Sequence, residues 1–425
     1  MNIISRRPFG QKYAFVVAAV IFLSLLSAAG VRSAPSVMIV PLEEAFGWRR
    51  DTISFSAAIG IFLYGLVGPF AAAMMEKFGL RRILMASLAI MSASAALSSL
   101  MSESWHLLAT WGILSGVGSG AVALVLGATV INRWFVTNRG LMMGLLTAST
   151  ATGSLIFLPV MAWLASTGGW QPVVWAVTIV TASLIPLVFF LVPERPSAIG
   201  QLPLGAPADY VAPDRNPAKL LDATFGVLGR AMKTKVFWYL FATFFICGFT
   251  TNGLVGTHLI SFCADMGIAP VQAAGLVALM GIFDLVGTTA SGWLTDRFDP
   301  RKLLFVYYAL RGLSLMVLPY TDFSVVSLSI FAVFYGLDWI ATVPPTLRLA
   351  NDAFGDRDAP VVFGWIAAGH QMGAASAAFM GGYLRQDTGS YLWAFVIAGF
   401  TGLIAAVISL MIKRNRVGVA AAQPA

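Results

Sequence analysis

Charge is scarce in this chain of 425 residues: Asp, Glu, Lys and Arg make up only 11% of it, while 58% is hydrophobic. Ordinary globular domains carry about 25% charged residues, and so few charges cannot cover the surface of a water-soluble protein of this length. A soluble protein is excluded, which leaves a polytopic membrane protein. Cysteine is almost absent. Cys247 and Cys263 share one apolar segment, about 24 Å apart along a helix, too far for a disulfide. The three histidines are scattered, so no metal site is expected and no oxidising compartment is implied. Patterns for intramembrane catalysis are missing too. There is no H-E-x-x-H, no G-x-S-x-G and no paired catalytic aspartate motif, so an enzyme is not expected. The run Gly116, Gly118 and Gly120 lies mid-helix with no strand before it, which argues against a nucleotide loop. No cofactor and no nucleic-acid partner are expected. The basic N-terminus leads into an apolar run without a small-residue cleavage site, so it reads as a retained first helix.

What the chain does have is long apolar runs separated by charge clusters. They predict an all-α protein of twelve transmembrane helices. The expected spans are 13–40, 53–75, 82–102, 105–133, 140–167, 171–193, 236–264, 270–295, 302–320, 323–347, 358–384 and 390–412. Of the 27 Lys and Arg residues, 22 fall at the N-terminus, in the even-to-odd connections or in the C-terminal tail. Only Arg49, Arg50 and Arg385 lie in the opposite loops, and Arg32 and Arg311 lie inside helices. This asymmetry places both termini in the cytoplasm, and accounts for the net charge of +8 without nucleic acid. The segment 194–234 contains five prolines and mixed charge, and reads as a cytoplasmic linker with a short surface helix over 222–233. It divides the chain into bundles at 1–193 and 235–425.

The stretch from Gly281 to Lys302 holds a lone acid, Asp284, among apolar residues. Twelve residues of helix separate it from Asp296, about 18 Å, which puts it near the middle of a hydrocarbon core of about 30 Å. An ionisable group at that depth is a functional-site hypothesis. The turn at Asp296, Arg297, Asp299 and Arg301 echoes one at Glu76, Lys77, Gly79 and Arg81, half a chain earlier.

This six-plus-six plan, with charged turns after helices 2 and 8, resembles the major facilitator superfamily. Trp134-Phe135 through Arg139, Leu141, Gly144 and Ala148 is similar to the signature after helix 4 of the monocarboxylate transporter and oxalate/formate antiporter group. Phe46-Gly47-Trp48-Arg49 is similar to the same loop in bacterial members. Arg32 falls close to a helix-1 lysine of animal monocarboxylate transporters, and Asp284 matches their helix-8 aspartate. Those relatives carry an arginine one turn later, where this chain has Thr288, and their acidic signature at the start of helix 1 is absent here.

The resemblance implies a secondary transporter in two pseudo-symmetric bundles, working by alternating access on a small organic monoanion with proton symport. Anion exchange and export of hydrophobic compounds are the alternatives; Gly140, Gly144, Gly153 and Pro159 do not have the spacing typical of such exporters. The expected partners are the solute, protons and the lipid of the cell's inner membrane, for a carrier acting as a monomer. Arg32 offers a planar fork for a carboxylate, unless it pairs with Glu43 or Glu44. Asp284 and His370 are candidates for carrying the proton, unless Asp284 is fixed to Arg311. Arg311 and Asp338 are expected to form a buried ion pair, with Pro344-Pro345 breaking helix 10 nearby. Tyr64, Asn252, His258, His370 and Gln371 are candidate cavity residues. Glu76, Lys77, Arg81, Asp296, Arg297 and Arg301 are expected to latch helix ends at the cytoplasmic face, with Arg133 and Arg139 as gate or orientation residues.

Overall fold

A computed structural model describes residues 12–122, 124–207, 209–210 and 225–413. The basic residues Arg6, Arg7, Arg215, Lys219, Arg414 and Arg416, with Pro213 and Pro217, lie outside these. In a medium without water every backbone polar group must be satisfied within the segment, and the apolar runs accordingly become helices. In chain order they are α1 (Tyr13–Phe46), α2 (Arg50–Phe78), α3 (Leu80–Ser98), α4 (Ser104–Trp134), α5 (Arg139–Gly168) and α6 (Trp170–Leu191). After the intervening segment come α7 (Lys235–Asp265), α8 (Pro270–Arg297), α9 (Pro300–Tyr320), α10 (Val325–Gly355), α11 (356–388) and α12 (Leu392–Met411). Ten of these are long and apolar enough to cross a membrane, and α5 adds a shorter apolar stretch, Leu155–Gly168.

The expected spans fall on the twelve helices, with two differences at the ends. The first, α1, runs on to Phe46 rather than stopping near residue 40, because neither Pro35 nor Pro41 ends it. The second is α10, which continues to Gly355, where a left-handed φ of 73° turns the chain into α11; glycine takes that conformation without a Cβ penalty. The described parts of the expected linker 194–234 contact the helices. Leu204 exchanges backbone hydrogen bonds with Trp134 (2.8 Å) and Val136 (2.9 Å) at the α4–α5 turn. A short helix over 225–231 buries Val227 and Ala231 in a cluster shared with helices of the last six, and its Phe225 ring lies between Phe70 of α2 and Trp365 of α11; residues 222–224 of the expected surface helix are not described.

The seam between the first and last six helices is built by α2 against α11 and by α5 against α8. Apolar side chains such as Trp163, Trp175, Ile179, Phe190, Trp293, Ile330 and Phe400 project outward, as a lipid-facing surface requires. The helices nearest the centre are irregular. Both α4 and α7 contain a π-helical stretch, Leu108–Leu114 and Phe249–Val255, and α10 is unwound between Asp338 and Val343. Such departures free or redirect backbone groups and recur at functional sites.

The turn of α10 just before its unwound part lies tight against α8. A Cβ at Gly287 would stand 1.8 Å from the Leu337 carbonyl oxygen, and one at Gly336 would stand 2.6 Å from that of Met280. Backbone cannot yield as a side-chain tip can. Gly287→Val therefore costs about 1–3 kcal/mol or more of overpacking. It lowers the melting temperature of purified protein by several degrees, whereas the same change at Gly275, which has open space around it, does not.

Candidate functional site

A cavity of about 420 Å³ opens between the two groups of six helices, with walls from α1, α2, α4, α5, α7, α8, α10 and α11. That is within the range of small-molecule sites. Arg32, Tyr64, Asn252, Asp284, His370 and Gln371 all reach it. On one side the Arg32 guanidinium lies over the Tyr64 ring, 4.5 Å from its centroid. Among the described residues no acidic side chain pairs with Arg32; Glu43 is taken by Arg50 and Glu44 is exposed. Asn252 comes from the π-helical stretch of α7. The His370 ring packs at 5.1 Å on Phe244. Gln371 sits where α11 crosses Gly65 of α2, close enough that a Cβ there would collide with it.

His258 is a correction. It is fully buried and does not line the cavity. Its ring nitrogens meet the Tyr391 hydroxyl (3.1 Å) and the Ala378 carbonyl (2.6 Å), so it ties α7 to α11 and α12. Sequence position alone could not tell one face of α7 from another, because the π-helical stretch shifts the register of all that follows.

The opposite wall is organised around the gap in α10. Arg311, wholly buried, donates from Nε to Asp338 Oδ2 at 2.6 Å and from Nη1 to Cys247 Sγ at 3.1 Å. Its Nη2 donates to the carbonyls of Asp338 and Trp339. Asp284 does not pair directly with Arg311. Its Oδ1 accepts the Ile340 backbone N–H (2.9 Å) and the Thr288 hydroxyl (3.0 Å). The Ser291 hydroxyl closes the set on the Ala341 carbonyl, 2.5 Å. The break precedes Pro344-Pro345 rather than falling on them, and its freed groups are held by α8 and α9 instead of facing the cavity. Cys247, set aside in the sequence as unable to form a disulfide, lines the cavity and touches Arg311 and Thr342. Trp339 lines it as well.

The ion pairs described at the end that holds the termini each stay within one half or join it to the 225–231 helix. Glu76 pairs with Arg133 (2.8 Å), Arg301 with Asp299 (2.6 Å) and Arg230 with Asp358 (2.7 Å). Arg81 bonds through its backbone N–H to Glu194 and through its guanidinium to the Phe189 carbonyl. Arg139 bonds the Phe135 carbonyl, Arg297 covers the Trp293 ring, and Lys77 and Asp296 are exposed. These contacts join neighbouring helix ends at that face, as in Glu76 of α2 with Arg133 of α4.

The charges that do cross lie at the opposite end. Arg50 of α2 holds Glu43 of α1 through two bonds and Asp265 of α7 at 3.2 Å, while Arg385 of α11 holds the same aspartate at 2.6 Å. The Arg50 backbone N–H reaches Gln386. From there the seam continues inward through Ser54 beside Gly382, Phe55 on Phe379, and Ala58 with Ala375 and Ala378. The signal available in the sequence was the isolation of Arg49, Arg50 and Arg385 in loops otherwise free of cations.

Two bundles around a midplane cavity, closed at one end by cross-half contacts, define a membrane carrier. Residues 20–347 match the family model of the Major Facilitator Superfamily, and the chain belongs to that family of transporters. It is similar to Monocarboxylate transporter 13 of Rattus norvegicus, 28% identical with 87% of this chain and 82% of that protein covered. It is also similar to the uncharacterised MFS-type transporter YcxA of Bacillus subtilis, 26% identical with 89% and 90% covered. Among solved structures it superimposes on a D-xylose-proton symporter with a TM-score of 0.75 at 13% identity, covering 95% of this chain and 99% of that one. A bacterial homologue of the human lysosomal transporter Spinster, in an inward-facing and occupied conformation, gives 0.72 at 15%, covering 98% and 100%.

If the Arg50 cluster holds that end shut, Arg50→Gln widens it. Spin labels at Thr52 and Thr388 then give a broader, longer distance distribution by pulsed resonance than in the unmutated protein, and Arg49→Gln, whose partner Asp51 lies on the same helix, leaves it unchanged.

Proposed function

We propose that this protein is a secondary transporter of a small organic monoanion, a monocarboxylate, coupled to proton symport. The observation that carries the reading is Arg32. A cation inside a membrane bundle is costly and normally pairs, yet Arg32 faces the cavity with an aromatic ring beneath it and, among the described residues, no carboxylate against it. Its fork matches a carboxylate through two parallel charge-assisted hydrogen bonds. The solute completes the pair. Tyr64 holds the guanidinium in place, and Asn252, His370 and Gln371 offer polar contacts from the other half. Relatives named as monocarboxylate transporters support the solute class.

Binding from both halves gives the solute a reason to favour closure around itself, as in carriers whose halves rock about a midplane site. In this reading residues 1–193 and 235–425 move against each other and 194–234 connects them. The Arg50 cluster closes one face, and Glu76, Lys77, Arg81, Asp296, Arg297 and Arg301 serve the other when it closes. The termini lie in the cytoplasm, in a protein of the inner membrane. Asp284 or His370 takes up the proton that offsets the incoming charge.

Uptake by protein reconstituted in liposomes tests the reading against acetate, pyruvate, lactate, 4-methyl-2-oxopentanoate and benzoate, with their methyl esters as uncharged controls. Saturable uptake of at least one acid, but of no ester, is expected. Losing a bidentate charged contact of about 3 kcal/mol lowers affinity on the order of 100-fold in Arg32→Gln, with partial recovery in Arg32→Lys. Uptake unaffected by Arg32→Gln, or esters carried as well as acids, removes the carboxylate proposal.

A further inference from the structure

The charges buried in the wall opposite Arg32 do not balance. Asp284 is 4% exposed, Asp338 7% and Arg311 not at all, so two buried carboxylates stand in this wall with one buried guanidinium, which bonds Asp338. The two acids flank the same gap in α10: Asp338 is its last helical residue, and Asp284 bonds the Ile340 N–H two residues on. The titratable groups facing them from every neighbouring helix are Cys247 of α7, Tyr307 and Tyr308 of α9, Tyr335 of α10 and, beside Cys247, His370 of α11. None of these adds a cation unless His370 is protonated, and ionising Cys247 would deepen the surplus. Like charges this close in a poorly polarisable interior do not both stay ionised unopposed, and such a pair titrates as a unit.

We infer that Asp284, Asp338 and Arg311 form one proton-binding unit, in which the two carboxylates share a single transported proton. The inference rests on the proton-coupled carboxylate reading above, and explains how solute and proton are linked. With the cavity empty, the positive charge of Arg32 on one wall offsets the surplus negative charge on the other. When a carboxylate neutralises Arg32, the surplus is left uncompensated, and one carboxylate takes a proton from the solution in the cavity to become a carboxylic acid. The occupied carrier is then neutral, as the empty one was. Reorientation carries solute and proton together. Once the solute leaves, Arg32 is again unopposed and the acid gives its proton back to the solution on that side. The hydrogen bonds leave an oxygen for it: Asp338 Oδ1 is buried with no hydrogen-bond partner among the described residues.

The count makes Asp338 as necessary as Asp284, and that is testable. Purified protein in weakly buffered detergent, with a pH-indicator dye, reports protons taken up per carboxylate bound, using the acids named above. About one proton per carboxylate is expected for the unmutated protein, and none for either Asp284→Asn or Asp338→Asn, both of which still bind the acid. Asp338→Asn that keeps one proton per carboxylate overturns the inference, leaving Asp338 as a fixed partner of Arg311. Loss of uptake stoichiometry only in His370→Gln overturns it as well. If Asp338→Asn does not fold, Asp338→Glu replaces it. The count then stays near one proton per carboxylate while the pH midpoint of proton uptake shifts from that of the parent; a midpoint unchanged from the parent overturns the unit. Absence of binding by every acid in the unmutated protein instead removes the carboxylate reading on which the inference rests.

Discussion

A helix opened inside a membrane leaves carbonyls and an N–H with no water to meet them, and the gap in α10 is such a place. Arg311, Asp284 and Ser291, from α9 and α8, answer those groups one by one. Much else follows from that arrangement. It fixes Trp339 and Ile340 in the cavity wall, goes with backbone contact of α8 and α10 at Gly287 and Gly336, and sets Asp284 on the Ile340 N–H and Asp338 on Arg311. Removing one member of such a buried set strands the others, which is costly by about 3–5 kcal/mol. The set therefore specifies a geometry more than it adds stability.

The cavity is built asymmetrically. Arg32, which no acid pairs among the described residues, belongs to the first six helices, and the cluster of Asp284, Arg311 and Asp338 belongs to the last six. In the proposed function a solute between them touches both halves, which would let its binding energy favour a closed state over an open one. The latch at Arg50 extends the same logic to one end of the seam. Asp265 accepts from a cation of each half, Arg50 and Arg385, so separation there strands charges that are half-buried or more. His258, with no place in the cavity, links that cluster through Tyr391 to the Ala378 carbonyl of α11.

Composition and the placement of 27 basic residues were enough to count twelve helices and to locate most of their ends within a few residues, the ends of α1 and α10 excepted, because lipid imposes a length and a hydropathy that show directly in one dimension. The same pattern gave the family. The ion pair of Arg311 with Asp338 was also legible, since two opposite charges at equal depth have few other partners. The cross-half cluster was not, because Glu43, Arg50, Asp265 and Arg385 come from four helices. The docking of Leu204 on the α4–α5 turn was hidden as well: a proline-rich segment carries no sign of where its backbone bonds.

What the sequence determined by itself was the solvent of this protein and the depth of its charges, for both follow from residue type and spacing along a helix. What only the tertiary structure decided was which charge faces which. Among the described residues no acid pairs with Arg32, Asp284 caps a backbone N–H rather than an arginine, and His258 faces away from the cavity. The reason is rotational: a π-helical stretch in α4 and α7 and an unwound turn in α10 each reset the direction in which later side chains point. No count of residues along the chain records that rotation.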